Sequence, residues 1–163
     1  MPELVLRPLP VPLPSLRRLP PGARTIVVDD ANSYPCRRCL RDAEPGERVV
    51  LLSYDPFDAD AATSYRQPGP IFVHADPCAY EPSRALPEQL TRRLLSVRSF
   101  DAGHAMLGGA VVQGAALDEA AVHLLEDEAV SYLHVHNAGP GCFAVRIDRV
   151  ARPGSESAGV WPR

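Results

Sequence analysis

Two strand-like segments near the C-terminal end of the chain constrain its fold more than any other feature. Val130 to Asn137 reads VSYLHVHN, and Cys142 to Val150 reads CFAVRIDRV, with side chains of different character alternating along both segments. The segments flank Ala-Gly-Pro-Gly, a connection typical of a β-hairpin with a glycine-bearing loop. The pair therefore predicts two antiparallel strands joined by a tight turn.

Further strand and helix patterns fill the rest of the chain. The run RVVLLSY at 48–54 is uniformly apolar, which is typical of a central strand rather than a half-buried one. Other strands are predicted at 25–28, 71–76, 96–100 and 110–113, and helices at 87–95 and 117–126. We therefore expect an α+β fold with a largely antiparallel, or mixed, sheet of five or more strands and two short helices.

Proline sets the N-terminal end apart from this domain. The chain contains 18 prolines, and between positions 8 and 14 they alternate with leucine and valine, a pattern that no interior strand or helix tolerates. We expect an edge strand at 3–7 within a proline-rich extended strap at 1–24. A single domain then spans 25–152, and the Gly/Ser-rich segment 153–163 is expected to form a flexible tail.

Composition and charge narrow the function classes. The chain is 45% hydrophobic and 23% charged, values typical of a globular protein, and no stretch approaches the ~20 apolar residues of a membrane span. The N-terminus has no apolar signal core, and four cysteines do not suggest a disulfide framework, so we expect a cytoplasmic protein with reduced thiols. A net charge of −3 without a dense basic face argues against nucleic-acid binding.

All 17 basic residues are arginine. No lysine nucleophile is therefore available for Schiff-base chemistry. Any anion must be held by planar guanidinium groups or by backbone N–H groups.

Strand alternation places titratable side chains opposite the aliphatic ones, because alternate residues share a face. The strands concerned are those predicted at 71–76, 96–100, 130–137 and 142–150. If their polar faces coincide, that side of the sheet carries Phe72, His74, Asp76, Arg98, Tyr132, His134, His136, Cys142, Ala144, Arg146 and Asp148. Imidazoles beside guanidinium groups suit acid–base chemistry on an anionic small molecule. The same alternation is also typical of a solvated sheet face, and this interpretation stays open.

The cysteines allow a second interpretation. Cys36-x-x-Cys39 has the spacing of a zinc knuckle, and His74-x-x-x-Cys78 could supply two further ligands. Leu40 follows Cys39 where such a turn usually has glycine, which counts against the knuckle. Cys142 is expected to be either a small buried side chain or a nucleophile paired with His136.

Several short motifs together resemble a bacterial family of small proteins, domain of unknown function number 1203. They are YPCR at 34–37, Gly46-Glu47, SYR at 64–66, GPIFV at 69–73, LSVRSFDA at 95–102 and, most specifically, YLHVHNA at 132–138 followed by Gly141-Cys142. The resemblance spans about residues 25–150 and implies a single-domain bacterial protein without a signal sequence. It implies no established reaction and no catalytic assignment.

The resemblance also bears on individual residues. In relatives, serine often stands at the position of Cys39 and arginine at that of His74, which argues against a structural zinc site. The residues that match the family pattern are Cys36, Arg37, Tyr65, Arg66, Arg98, His134, His136, Asn137, Cys142 and Arg146.

Our leading hypothesis is a cofactor-independent enzyme that performs proton transfer on an anionic small molecule, as an isomerase, lyase or hydrolase. Its catalytic residues would be His134, His136 and Cys142, its substrate-binding residues would be Arg66, Arg98, Asn137 and Arg146, and no metal or cofactor is expected. The alternative is a non-enzymatic binding or interaction module, zinc-stabilised through Cys36, Cys39, His74 and Cys78. We expect neither a nucleic-acid nor a membrane partner, and a homo-oligomer stays open.

Overall fold

The computed structural model describes residues 4–9 and 19–150. Within them the chain forms eight strands and two short α-helices, which confirms the α+β class. The strands are β1 Leu4–Arg7, β2 Arg24–Val27, β3 Arg48–Tyr54, β4 Gly69–His74, β5 Leu94–Phe100, β6 Met106–Gln113, β7 Tyr132–Asn137 and β8 Phe143–Arg149. The helices are α1 Glu88–Thr91 and α2 Leu117–Leu125. Most of the predicted proline run and the predicted tail at 153–163 lie outside the described residues.

The strands form two antiparallel sheets. Five of them make a sheet in the order β1-β8-β7-β5-β6, so the hairpin strand β7 is central and the N-terminal strand β1 is at an edge, as predicted. The smaller sheet has the order β2-β3-β4, with the apolar strand β3 in the middle, also as predicted. The strand β4 therefore does not join the sheet that carries the hairpin.

The main core lies between the five-stranded sheet and α2. The helix contributes Leu117, Ala121 and Leu125, and it buries them against aliphatic side chains from β5, β7 and β8. The strand residues of this core include Leu95, Val97, Leu133, Val135, Val145 and Ile147, all fully buried. Each such side chain contributes about 1.5–3 kcal/mol of transfer free energy, so this face of the sheet provides much of the stability.

The second core lies between the smaller sheet and the loop that precedes β3. Val50, Ile71 and Val73 pack there against Cys36 and against Phe143 of β8. No helix in the described part of the chain is long and apolar enough to cross a bilayer.

The predicted helix at 87–95 is wrong at its C-terminal end. Helix α1 ends at Thr91, and Leu94 and Leu95 belong to β5. Leu95 pairs with Val112 on one side and with Asn137 on the other, and it is completely buried. Pairing with two strands and burial in the core therefore override the helical spacing of these leucines.

The predicted alternation of β8 is wrong at its first residues, because the β7–β8 pairing contains an irregularity. Val135 pairs with Val145, but His136 pairs with Phe143, so Ala144 is an extra residue between the two pairs. Such a bulge turns the preceding side chain toward the other face. Phe143 thus lies on the histidine side of the sheet, and Ala144 joins the aliphatic core.

Gly114 provides a test of how tightly α1 packs against the start of α2. A Cβ atom at this position would lie 1.9 Å from the carbonyl oxygen of Leu90 and 2.8 Å from that of Arg93. We expect Gly114→Ala to lower the free energy of unfolding by about 2–3 kcal/mol, because the obstructing atoms belong to the backbone. Urea denaturation measures this change. Gly139→Ala is the control, since no atom lies within 4 Å of its Cβ position, and equal stability of the two variants would contradict the packing.

Candidate functional site

The register of the large sheet brings three polar residues into one row. His134 of the central strand pairs with Arg98 of β5 on one side and with Arg146 of β8 on the other. His136 follows on the same face of β7, next to Phe143. The row lies on the face of the sheet opposite α2.

A pocket of about 270 Å³ opens on this face, between β5, β7 and the loop 56–67. Four of the residues predicted for the site line it: Arg66, Arg98, His134 and His136. Tyr65 and Gln67 lie beside them, while Asp and Glu are not among the described residues that line the pocket. The charged side chains among the described lining residues are therefore both arginines.

His134 is buried in an aromatic enclosure. Its ring centroid lies 4.9 Å from Phe57, 5.0 Å from Phe100 and 5.3 Å from Phe143. Neither ring nitrogen has a hydrogen-bond partner among the described residues, although the side chain is only 1% exposed. A buried polar group without a partner costs about 1–3 kcal/mol, so this residue is retained at a cost to stability.

Burial also fixes the charge of His134. It lowers the pKa of the imidazole to about 3, and the positive charges of Arg146 and Arg98 act in the same direction. The ring is therefore neutral at pH 7. A neutral imidazole has one N–H donor and one lone pair, and no other described residue uses either of them.

His136 has a defined tautomer. Its Nδ1 lies 2.9 Å from the carbonyl oxygen of Gly141, which only accepts hydrogen bonds, so Nδ1 carries the proton. Burial lowers the pKa of His136 to about 4, against the effect of this hydrogen bond, and the ring is neutral at pH 7. The lone pair therefore resides on Nε2. Gly141 has φ +79°, a left-handed conformation that glycine adopts without strain.

Arg98 and Arg66 differ in the hydrogen-bond and ion-pair partners that they already have within the protein. Arg98 donates to Gln67 Oε1 at 3.0 Å and to Ser96 Oγ at 3.4 Å, and no carboxylate among the described residues pairs with it. Arg66 binds Asp55 Oδ2 at 2.5 Å and donates to two carbonyl oxygens of the loop 58–61. The guanidinium of Arg98 is thus the one with free hydrogen-bonding capacity for an anion, and Arg66 orders the loop that forms the pocket wall.

The predicted residues Asn137 and Cys142 lie at the turn of the hairpin rather than in the pocket. Asn137 Nδ2 lies 3.5 Å from Cys142 Sγ, and Arg37 donates to the same sulfur at 3.1 Å. Arg37 also donates to the carbonyl oxygen of Phe143 at 2.7 Å. The observed hydrogen bond of His136 goes to Gly141 and not to this thiol.

Arg37 is the functional candidate that the sequence argument missed. Its side chain is 1% exposed, whereas a loop arginine is ordinarily solvated. The signal was present in the YPCR motif, since Arg37 matches the family pattern. Its burial depends on contacts with residues more than 100 positions away, and these cannot be read from local sequence.

Arg146 lies outside the pocket at its end of the row. Its guanidinium stands 4.0 Å from the ring centroid of Tyr132, and its Nε donates to Asp148 at 2.6 Å. The Tyr132 hydroxyl lies 2.7 Å from His104 Nδ1, and burial raises the pKa of Tyr132 to about 12. Because Asp148 pairs with Arg146, a carboxylate already balances the charge of Arg146.

The cysteine interpretation also has a counterpart in the structure. The ligand atoms of Cys36, Cys39, His74 and Cys78 all lie within 4.8 Å of one another. These residues could hold a metal ion. They belong to the smaller sheet and its preceding loop, apart from the pocket that contains His134.

A larger groove, of about 690 Å³, runs between the segments 39–44 and 79–92. Two of its acidic residues, Asp42 and Glu88, bind its Arg92. Its lining includes no histidine. The groove therefore lacks the neutral acid–base groups of the smaller pocket.

The fold and these sites define a small α+β domain with a histidine–arginine pocket and a separate cysteine–histidine cluster. The family model described as "Protein of unknown function (DUF1203)" matches residues 33–149, and the chain belongs to this family. The resemblance inferred from the short motifs is thus confirmed. No curated protein and no solved structure shows significant similarity to the chain.

The two buried histidines predict a loss of stability in acid. Their pKa values are about 3 and about 4 in the folded protein against 6.5 for an ordinary histidine, so between pH 6.5 and pH 4 only the unfolded chain takes up these protons. The free energy of unfolding then falls with falling pH by about 1.4 kcal/mol per unit for each histidine. We expect His134→Phe to remove about half of this slope and to maintain stability at pH 7, because it eliminates two unpartnered nitrogens.

Urea denaturation at half-unit pH intervals measures the slope. The matched control is His123→Phe, because His123 is exposed on α2. An unchanged slope in His134→Phe would show that His134 is not buried in the neutral form.

Proposed function

We propose that this protein binds a small anionic molecule in the pocket of Arg98, His134 and His136 and performs proton transfer on it without a cofactor. The observation that carries the proposal is His134, whose two buried nitrogens lack partners although phenylalanine would suit its aromatic surroundings. A ligand atom that displaced part of the aromatic enclosure and reached them would satisfy them. The reaction would be of the isomerase, lyase or hydrolase type.

Charge supports an anionic ligand. The guanidinium of Arg98 lines the pocket without a carboxylate partner among the described residues, whereas Arg66 is paired with Asp55 behind the pocket wall. The free N–H groups of Arg98 can bind a carboxylate or a phosphate through two parallel hydrogen bonds. A volume of about 270 Å³ lies just below the usual range of about 300–1,000 Å³ for ligand pockets, which favours a small metabolite.

The state of the histidines supports proton transfer. The Nε2 lone pair of His136 makes it a base, and its ring centroid is 6.4 Å from that of His134, so one small molecule can contact both. A bound anion raises the pKa of a neighbouring imidazole because opposite charge stabilises the protonated form. Binding would therefore shift both histidines toward the neutral pH at which acid–base catalysis is most efficient.

The remaining predicted residues enter the proposal as positioning residues. The N–H of Asn137 donates to the carbonyl oxygen of Cys142 across the turn at 2.9 Å, and the N–H of Gly141 donates to the carbonyl oxygen of Asn137 at 2.8 Å. This turn fixes the Gly141 carbonyl and with it the tautomer of His136. Arg146 would add positive potential at the end of the row.

Anion binding is tested with a panel of short mono- and dicarboxylates and inorganic phosphate. We expect at least one of them to raise the melting temperature of the wild type and to shift the imidazole nitrogen resonances of His134 and His136. Arg98→Gln should weaken that binding about 10- to 100-fold, in line with the loss of a charged hydrogen-bond pair. Arg24→Gln removes an equal charge from an exposed site on β2 and should bind as the wild type does. Equal affinity of the two variants would place the anion elsewhere.

Proton transfer is tested by exchange in deuterium oxide. We expect the protein to accelerate deuterium incorporation at the acidic C–H positions of short 2-oxo and 3-oxo acids, as followed by NMR. His136→Gln should lower that rate about 10²- to 10⁴-fold, because the amide has no basic lone pair of comparable strength. Binding without accelerated exchange would overturn the enzymatic part of the proposal and favour the non-enzymatic alternative.

A further inference from the structure

We propose that Cys36, Cys39, His74 and Cys78 form a structural zinc site that ties the loop before β3 to β4. This inference concerns a different part of the molecule from the anion pocket and does not depend on it. Three thiolates and one imidazole are a ligand set typical of structural zinc.

The distances fit a tetrahedral ion. Bond lengths of about 2.3 Å for Zn–S and about 2.0–2.1 Å for Zn–N imply tetrahedral edges of about 3.8 Å between two sulfurs and about 3.5 Å between sulfur and nitrogen. Cys36 Sγ lies 3.7 Å from Cys78 Sγ, and Cys39 Sγ lies 3.4 Å from His74 Nδ1. These two pairs share no atom, so they are opposite edges of one tetrahedron. The remaining ligand separations stay within 4.8 Å.

The backbone around the first two cysteines has the form of a knuckle. The N–H of Leu40 donates to the carbonyl oxygen of Cys36 at 3.1 Å, and the N–H of His74 donates to Cys36 Sγ at 3.2 Å. Leu40 has φ +57°, the left-handed conformation for which glycine was expected. The leucine therefore does not prevent this turn from forming, and the objection based on Leu40 does not apply here.

The free-energy cost of the left-handed backbone at Leu40 is offset by burial of the leucine side chain. A left-handed residue with a Cβ atom costs roughly 1–2 kcal/mol. Leu40 is 1% exposed and packs into the core that contains α2, which returns a similar free energy. Backbone strain of this kind persists where the surrounding structure requires it.

His74 is oriented by a second partner. Its Nε2 lies 2.9 Å from Glu47 Oε2, while its Nδ1 faces the three sulfurs. A carboxylate that accepts the distal N–H of a histidine fixes the tautomer and leaves the other nitrogen unprotonated for a metal. Glu47 thus orients His74 without binding the metal itself. Its contact with Nε2 leaves Nδ1 of His74 directed at the proposed zinc position.

The donor set also distinguishes zinc from other ions and structural from catalytic zinc. Thiolates exclude magnesium and calcium, which prefer oxygen ligands. Four protein ligands leave no position for water or substrate, as in closed structural sites. Cys36 and Cys39 are buried, and Arg38 binds the carbonyl oxygens of His74 and Asp76, so its charge offsets the net negative charge of a three-thiolate site.

Zinc and cobalt(II) are the probes, used with the full chain. We expect about one zinc per chain in protein purified without added metal, and cobalt(II) added to metal-free protein should give the visible spectrum of tetrahedral thiolate coordination. Chelation should lower the melting temperature and expose thiols to a thiol reagent that reaches only Cys142 in the zinc form. Absence of zinc, together with no cobalt spectrum on addition of the metal, would overturn the proposal.

Variants locate the metal. Cys78→Ser, at the most exposed ligand, should abolish the cobalt–thiolate spectrum or change its intensity, and Glu47→Gln should retain the spectrum but weaken binding about 10- to 100-fold. Cys142→Ser is the matched control and should leave both zinc content and spectrum unchanged. Loss of the metal in Cys142→Ser, or full retention in Cys78→Ser, would contradict this ligand set. Since Glu47 is largely exposed, its variant remains informative if Cys78→Ser fails to fold.

Discussion

Strand β7 is buried on both faces along its whole length, and this constraint determines the rest of the structure. One face carries Leu133 and Val135, which α2 covers. The other face carries Tyr132, His134 and His136, which are buried as well. An antiparallel sheet can leave a polar face in solvent, but here a second layer covers it. The loop 56–67 and the smaller sheet supply it, with Phe57 and Phe143 packed on the histidine rings.

This burial explains why the two histidines differ from ordinary surface imidazoles. A protein interior stabilises the neutral form, and the charges of Arg98 and Arg146 near His134 add to the effect. The Nδ1 of His136 has a hydrogen-bond partner in the Gly141 carbonyl, whereas the ring of His134 is packed against aromatic side chains. A phenylalanine at 134 would retain the packing at no cost in unpaired polar atoms. The imidazole of His134 therefore adds unpaired polar atoms that the packing itself does not require.

The sequence predicted the fold class because alternation and apolar runs report which face of a strand is buried. It located the β7–β8 hairpin, the central strand β3 and helix α2, and it assigned His134, His136 and Arg98 to one face. It could not predict that β4 lies in a separate sheet, since strand order depends on contacts between distant segments. The bulge at Ala144 and the burial of Arg37 were missed for the same reason. Both arise from pairing between segments far apart in the chain, and neither leaves a periodic signal.

Cys36 and Arg37 connect the two clusters, because adjacent residues in an extended segment point in opposite directions. Cys36 faces the proposed zinc ligands, and Arg37 reaches across to the carbonyl of Phe143 and the thiol of Cys142. Phe143 in turn contacts both histidines of the pocket. A metal that fixes Cys36 therefore also fixes Arg37, and through it the aromatic wall of the pocket. The cysteine cluster can thus stabilise the site that binds the anion without contributing any atom to it.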